Sequence, residues 1–268
     1  MVNLDPVQWK HVAVADQDDI VELRFHTDDG PMIWTADTHR EAYEAFAWAG
    51  LQPAKVIIVT GTGGKFCTDI DVTSFTSVPW ETVWWEGRRM LKCLNDIEVP
   101  VISAVNGPAL IHAEILAMGD IVLASSDAQF ADRAHFAVRD TVPGDGANLV
   151  WGELLGPTRS KYFLMTGSAI SADEALRIGF VNEVLEPAGL RTRAWDLAHD
   201  LARRSLPVLR YTKAAASIGF RRDFDTNLSH GLGVEGCGHW SRGGLRPGLF
   251  SSNGTASPSP SSESEAAR

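Results

Sequence analysis

The chain is poor in the features that would place it outside a reducing, aqueous compartment. It has three cysteines in 268 residues, Cys67, Cys93 and Cys237, far apart and without a CxxC pair. That predicts neither a disulfide framework nor a structural zinc site. The opening stretch MVNLDPVQWKHVAVADQDD lacks a basic segment followed by an apolar one, so no secretory signal is expected. No uncharged apolar run reaches the ~18 residues that cross a bilayer. Positive charge is scarce: 24 Lys and Arg against 34 Asp and Glu leave a net charge of -10. Nucleic-acid binding, which relies on neutralising phosphates, is therefore not expected, and neither is an anionic membrane as partner. HExxH and comparable spacings are missing, so no metal site is expected. These absences predict a cytoplasmic protein.

What is present is an ordinary folding composition. Hydrophobic residues make up 44% and charged residues 22%, and the length suffices for one large core or two small ones. Short β-branched runs alternate with longer amphipathic stretches. DIVELRFHTDDG alternates apolar and polar residues over 21–25 and ends in a turn, so it reads as a strand. THREAYEAFAWAG sets Ala42, Ala45, Phe46 and Ala49 at helical spacing, with Thr38 as candidate N-cap. KVIIVTGTG is an apolar run stopped by glycines, the pattern of a strand buried on both faces. Further strands are expected in VPVISAVNGPA, DIVLASSDAQF and FVNEVL. Helices are expected over 80–98, 114–118, 146–155, 159–166 and 171–178, with closing helices over 194–204 and 208–218 and Pro207 between them. This order predicts an α/β layered architecture with crossover connections. The Ser/Pro/Gly-rich segment 248–268 is expected to be a disordered tail.

Several residues could carry chemistry. In VTGTGGKFC the glycines Gly61, Gly63 and Gly64 do not form GxGxxG and no helix follows directly, so a tight turn is favoured over a dinucleotide loop. His112, after a buried strand, is either a satisfied half-buried imidazole or a ring presented at the strand ends, where open α/β sheets bind ligands. Asp145, in a Pro-Gly-Asp-Gly turn, is either a helix cap or a carboxylate that orients an imidazole. His135 is its nearest upstream partner, and an extended hairpin or loop would let the two side chains meet. Glu235 reads as a solvated carboxylate on a terminal helix, and Trp34 and His39 are ambiguous. His11, His26, His199, His230 and His239 read as surface residues.

The order of VTGTGGKFCTDIDVTSF, PVISAVNGPA, GDIVLASSDAQF, VPGDGA, LLG, LMTG and SADEALRIGFVNEVL resembles the crotonase (enoyl-CoA hydratase/isomerase) superfamily over about residues 8–240. The resemblance implies an α/β, crotonase-like spiral of ββα turns over 1–200 and a C-terminal helical trimerisation region over 201–247. It therefore implies a homotrimer or a hexamer built as a dimer of trimers. Where CoA-processing members carry glycines that bring backbone N–H groups to a thioester carbonyl, FCTDID has Asp69 and NGPALIHAE has Ile111, His112 and Ala113. The chain is more similar to the branch containing 6-oxocamphor hydrolase and related β-diketone hydrolases. That branch's catalytic imidazole falls on His135, its partner carboxylate on Asp145, its carbonyl-binding histidine on His112 and a further acid on Glu235. Pocket residues fall on Trp34 and His39, and Phe75, Trp80, Trp84 and Phe136 are expected to shape the rest of the substrate site. The interval from His135 to Asp145 is one residue longer than in the branch, and Asp132 and Asp140 are local alternatives for the carboxylate.

The resemblance implies a hydrolase that cleaves a C–C bond of a cyclic or bicyclic β-diketone by retro-Claisen addition of water, giving a keto acid. His135 oriented by Asp145 would activate water, His112 with Trp34 would donate to the developing enolate, and His135 or Glu235 would return a proton. No metal or organic cofactor is expected, because the second carbonyl is the electron sink. The competing readings are an acyl-CoA hydratase or isomerase with a modified oxyanion hole, and a non-catalytic crotonase-fold binding protein.

Overall fold

Strand β4 (Val56–Gly61) shows how the sequence builds the centre of the molecule. All six residues are buried. Val56 and Ile58 pack on one side while Ile57 and Val59 pack on the other, because successive side chains of a strand point to opposite faces. The computed structural model, which describes residues 8–241, places β4 in a six-stranded sheet. Its order is β1 (Val12–Gln17), β2 (Ile20–Phe25), β4, β6 (Val101–Val105), β7 (Ile121–Ser125) and β10 (Glu183–Leu185). Only the β1–β2 hairpin is antiparallel. It turns at Asp18 and Asp19, both at positive φ, as a tight hairpin turn requires. The expected tail 248–268 and the end of the 201–247 region lie outside the described residues.

Helix α7 (Pro187–Ala202) covers one face, packing Leu190, Ala194, Trp195 and Ala198 on the sheet. The opposite face carries the larger core. It is closed by α1 (Ala36–Leu51), α2 (Trp80–Asp96) and a second layer of short strands. In that layer β3 (Met32–Trp34) pairs with β5 (Cys67–Ile70), and β8 (Gln129–Phe130) pairs with β9 (Ile170–Ser171). Ala109 bridges to both Cys67 and Phe130 and joins the two pairs. The expected α/β architecture is therefore present, and among the described residues no helix is long and apolar enough to cross a membrane.

Element ends depart from expectation for local reasons. The N-cap of α1 is Thr35, not Thr38; Thr38 N–H donates to the Thr35 hydroxyl and the Thr38 hydroxyl accepts from Thr35 N–H, a reciprocal capping box. Helix α7 starts at Pro187, well before residue 194, and Pro207 lies in the first turn of α8 (Leu206–Ala216) rather than between helices. Proline there loses nothing, since first-turn N–H groups have no helical partner. The helices expected over 146–155 and 159–166 form α5 (Ala147–Thr166), broken at Gly156 (φ 72°, ψ 169°) before Pro157. His11 is buried, not on the surface, and its N–H donates to Glu41.

Candidate active site

The site begins where β6 ends. The chain turns through Asn106 and Gly107 and is pinned when the N–H groups of Leu110 and Ile111 both donate to the Cys67 carbonyl, at 2.8 and 3.1 Å. These N–H groups are spent inside the protein. The next residue, His112, has φ 50°, in the left-handed region. A non-glycine residue there costs roughly 1–2 kcal/mol, so the backbone keeps a glycine-like shape while carrying an imidazole. Helix α3 (Glu114–Ala117) follows at once. The Trp34 ring, from β3, lies against the His112 ring at 4.2 Å and 39°. His39 meets the Trp34 edge at 5.8 Å and Phe75 at 6.0 Å, and its Nδ1 lies 3.2 Å from Glu86 of α2. Trp34, His39 and Phe75 therefore join His112 in one aromatic cluster.

His135 stands opposite, its ring 5.8 Å from that of His112 and nearly perpendicular to it. Asp145 lies between them. Its Oδ2 is 3.4 Å from His135 Nε2 and 3.4 Å from His112 Nδ1. Each imidazole also has a carboxylate of its own. His112 Nδ1 is 2.8 Å from Glu114 Oε1, and His135 Nδ1 is 2.8 Å from Asp132 Oδ1. The choice between Asp132 and Asp145 thus resolves as both, one on each ring nitrogen, while Asp140 ends a helical turn instead. The connection from His135 to Asp145 is not an extended hairpin. It is the one-turn helix α4 (Phe136–Arg139), a left-handed Asp140 and the glycine turn.

Two glycines place Asp145 against the terminal helix α9 (Ile218–Ser241). A Cβ on Gly144 would sit 2.1 Å from the Gly231 carbonyl oxygen, and one on Gly231 would sit 2.4 Å from that of Gly144. This contact brings Glu235 in. It is buried rather than solvated, and its Oε2 has no hydrogen-bond partner among the described residues. His239, one turn on, approaches Glu235 Oε1 at 3.7 Å and the Trp80 ring at 5.0 Å, so it is not a plain surface residue. Trp84 is half-buried and packs on the main core, whereas Phe136 is 50% exposed. Glu114, Glu86 and His239 were missed in the sequence, where nothing marks a pairing that depends on the chain's path.

Burial would lower both histidine pKa values, but the carboxylates outweigh it. Asp145 and Asp132 hold His135 well above its usual 6.5, and Glu114 with Asp145 holds His112 above it. Burial would raise Asp145, yet the two imidazoles hold it far below the carboxylate range. Burial pushes Glu114 and Glu235 upward. His112, Glu114 and Asp145, and likewise His135, Asp145 and Glu235, bring three donor atoms within 4.8 Å. The 2.8 Å contact in the first set is a hydrogen-bond length, shorter than the ~3.3 Å edge between ligands of a tetrahedral zinc.

A mostly parallel sheet, a second layer of short strands and a terminal helix folded back on a strand-end site define a crotonase-fold protein. The chain belongs to the enoyl-CoA hydratase/isomerase family, whose model it matches over residues 33–233. It is 32% identical over 227 residues to a crotonyl-CoA hydratase of Syntrophomonas wolfei, covering 82% of this chain and 86% of that one. It is 34% identical over 178 residues to a short-chain-enoyl-CoA hydratase of Clostridium acetobutylicum, covering 65% and 67%. Among solved structures it is similar to a β-diketone hydrolase from the cyanobacterium Anabaena sp. PCC 7120 bound to (S)-3-oxocyclohexyl acetic acid. That likeness has a TM-score of 0.83 and 36% identity over 88% of this chain and 98% of the other. The named relatives are enzymes.

Proposed function

We propose that the protein hydrolyses a C–C bond of a cyclic or bicyclic β-diketone, giving a keto acid. The observation that carries this reading is Asp145 held between two imidazoles, beside a segment whose Leu110 and Ile111 N–H groups are already spent. The four catalytic groups are His135, Asp145, His112 and Glu235. In the neutral form of His135, whose pKa its carboxylates raise, Nε2 takes a proton from water as the water oxygen bonds to one carbonyl carbon. Asp145 itself, held far below the carboxylate range, is too weak a base for this. The tetrahedral oxyanion then collapses and the C–C bond breaks, its electron pair becoming the enolate of the other ketone. His112 donates to that enolate oxygen. The proton returns to carbon from His135, with the Glu235 carboxyl, whose pKa burial pushes upward, as second source. The second carbonyl serves as electron sink. A ring ketone bearing an acetic acid arm is what hydrolysis of a bridged bicyclic 1,3-diketone leaves, and the Anabaena likeness supports that substrate class.

Incubating the protein with cyclic and bicyclic 1,3-diketones in ¹⁸O-water should give keto acids with one ¹⁸O in the carboxyl group by mass spectrometry. CoA should show no heat of binding in calorimetry. CoA binding without diketone turnover would favour an acyl-CoA hydratase or isomerase, to which the curated relatives point. We further propose a homotrimer or a dimer of trimers as the assembly.

A further inference from the structure

Glu114 is a buried carboxylate with no task in the proposed reaction. It is 2% exposed and opens α3 two residues after His112. Its Oε1 lies 2.8 Å from His112 Nδ1. We propose that Glu114 is a positioning residue that fixes the proton of His112 on Nδ1, leaves Nε2 as the working nitrogen and favours the cationic ring that donates to the enolate. This rests on the hydrolase reading above.

The argument is one of tautomers. Two carboxylate oxygens face Nδ1, Glu114 Oε1 at 2.8 Å and Asp145 Oδ2 at 3.4 Å. A lone pair on Nδ1 would oppose both, so Nδ1 carries the proton and donates. Nε2 has no partner in the protein among the described residues. A neutral ring of this tautomer would offer only a lone pair there, and an enolate oxygen needs a donor. The second proton is favoured by the negative charge beside Nδ1 and by the Trp34 ring against the imidazole. The other groups that face His112 are His135, across the ring–ring contact, with Asp132 behind it, and Glu235 near Asp145. With burial and His135 opposing, Glu114 and Asp145 hold the His112 pKa above the usual value. Two rigid devices hold the ring in this pose, the left-handed backbone at His112 and the buried Glu114.

Two measurements test this. In the ligand-free protein, ¹⁵N NMR of His112 should show a protonated Nδ1 across the titration, with only Nε2 exchanging its proton. An unprotonated Nδ1 overturns the proposal without any variant. Glu114→Gln keeps an acceptor oxygen but removes the charge. The His112 titration should then fall by about one pH unit or more, kcat should drop tenfold or more with KM little changed, and one limb of the pH profile should move to lower pH. An unmoved titration and profile in a folded variant overturns it. The NMR readings need no substrate, so an absence of diketone turnover would sink the hydrolase reading separately.

Discussion

At Asp145, one carboxylate serves two imidazoles, and neutralising it affects both. Asp145→Asn and His135→Ala should each lower turnover tenfold or more, within the roughly 10²–10⁴-fold that general-base catalysis contributes; steady-state kinetics on the active diketone checks this. Both histidines are raised above 6.5, so kcat/KM should be bell-shaped with both macroscopic pKa values above 6.5, values that belong to the pair. Asp132→Asn removes one of the groups that raise His135, so one limb should move to lower pH. The sign for stability is the reverse at Asp145. Its folded pKa is depressed from 3.8, so its contribution is present above that value and lost as pH falls below it. Urea unfolding of wild type should therefore weaken on acidification below about pH 4, more than that of Asp145→Asn.

At the scale of elements, the site is made by close approaches. Gly144 and Gly231 let the Asp145 turn lie on α9. In Gly144→Ala the new Cβ meets backbone rather than a flexible side chain, and overpacking of this kind costs about 1–3 kcal/mol. A lower melting temperature together with reduced turnover is expected, measured by calorimetry and kinetics on the same preparation. The left-handed position of His112 sets the order of its own variants. His112→Gly suits φ 50° and should be more stable than His112→Ala by roughly 1–2 kcal/mol, although both leave the buried Glu114 carboxylate without its imidazole. His112→Gly should still lose about 2.7–4 kcal/mol of transition-state stabilisation, as for removal of one oxyanion donor. The two variants separate backbone strain from chemistry.

For the whole molecule, the proposed assembly has its own test. Tyr162 and Met165 of α5 and Val138 of α4 are large, apolar or aromatic, and exposed in the single chain, at 66, 60 and 61%. Light scattering should give the mass of three or six chains, and Tyr162→Glu should lower it if this face is shared. A monomer at micromolar concentration would refute the proposal. Much of the architecture could be foreseen at this scale: KVIIVTGTG and VPVISAVNGPA read as buried strands and lie side by side in the sheet as β4 and β6. One error lay at Pro207, which reads as a break between helices but sits in the first turn of α8, and another at the start of α7, which lies at Pro187 rather than at residue 194.

The sequence alone determined what short-range patterns encode: alternating apolar runs that become strands, the absence of the usual glycines around His112, and a Gly-flanked Asp145 ten residues after His135. The order of the longer motifs carried the resemblance to the family, and that resemblance pointed to His112, His135 and Asp145. Only the tertiary structure decided how the groups pair. Glu235 reads as a solvated helix carboxylate, yet it is buried because α9 returns to the Asp145 turn across two glycines 87 positions apart. Asp132 and Glu114 became the nearest carboxylates of the two imidazoles because loop and backbone geometry aimed those rings. Hydrogen bonds depend on direction and a few tenths of an ångström, which residue spacing does not specify and a packed backbone does.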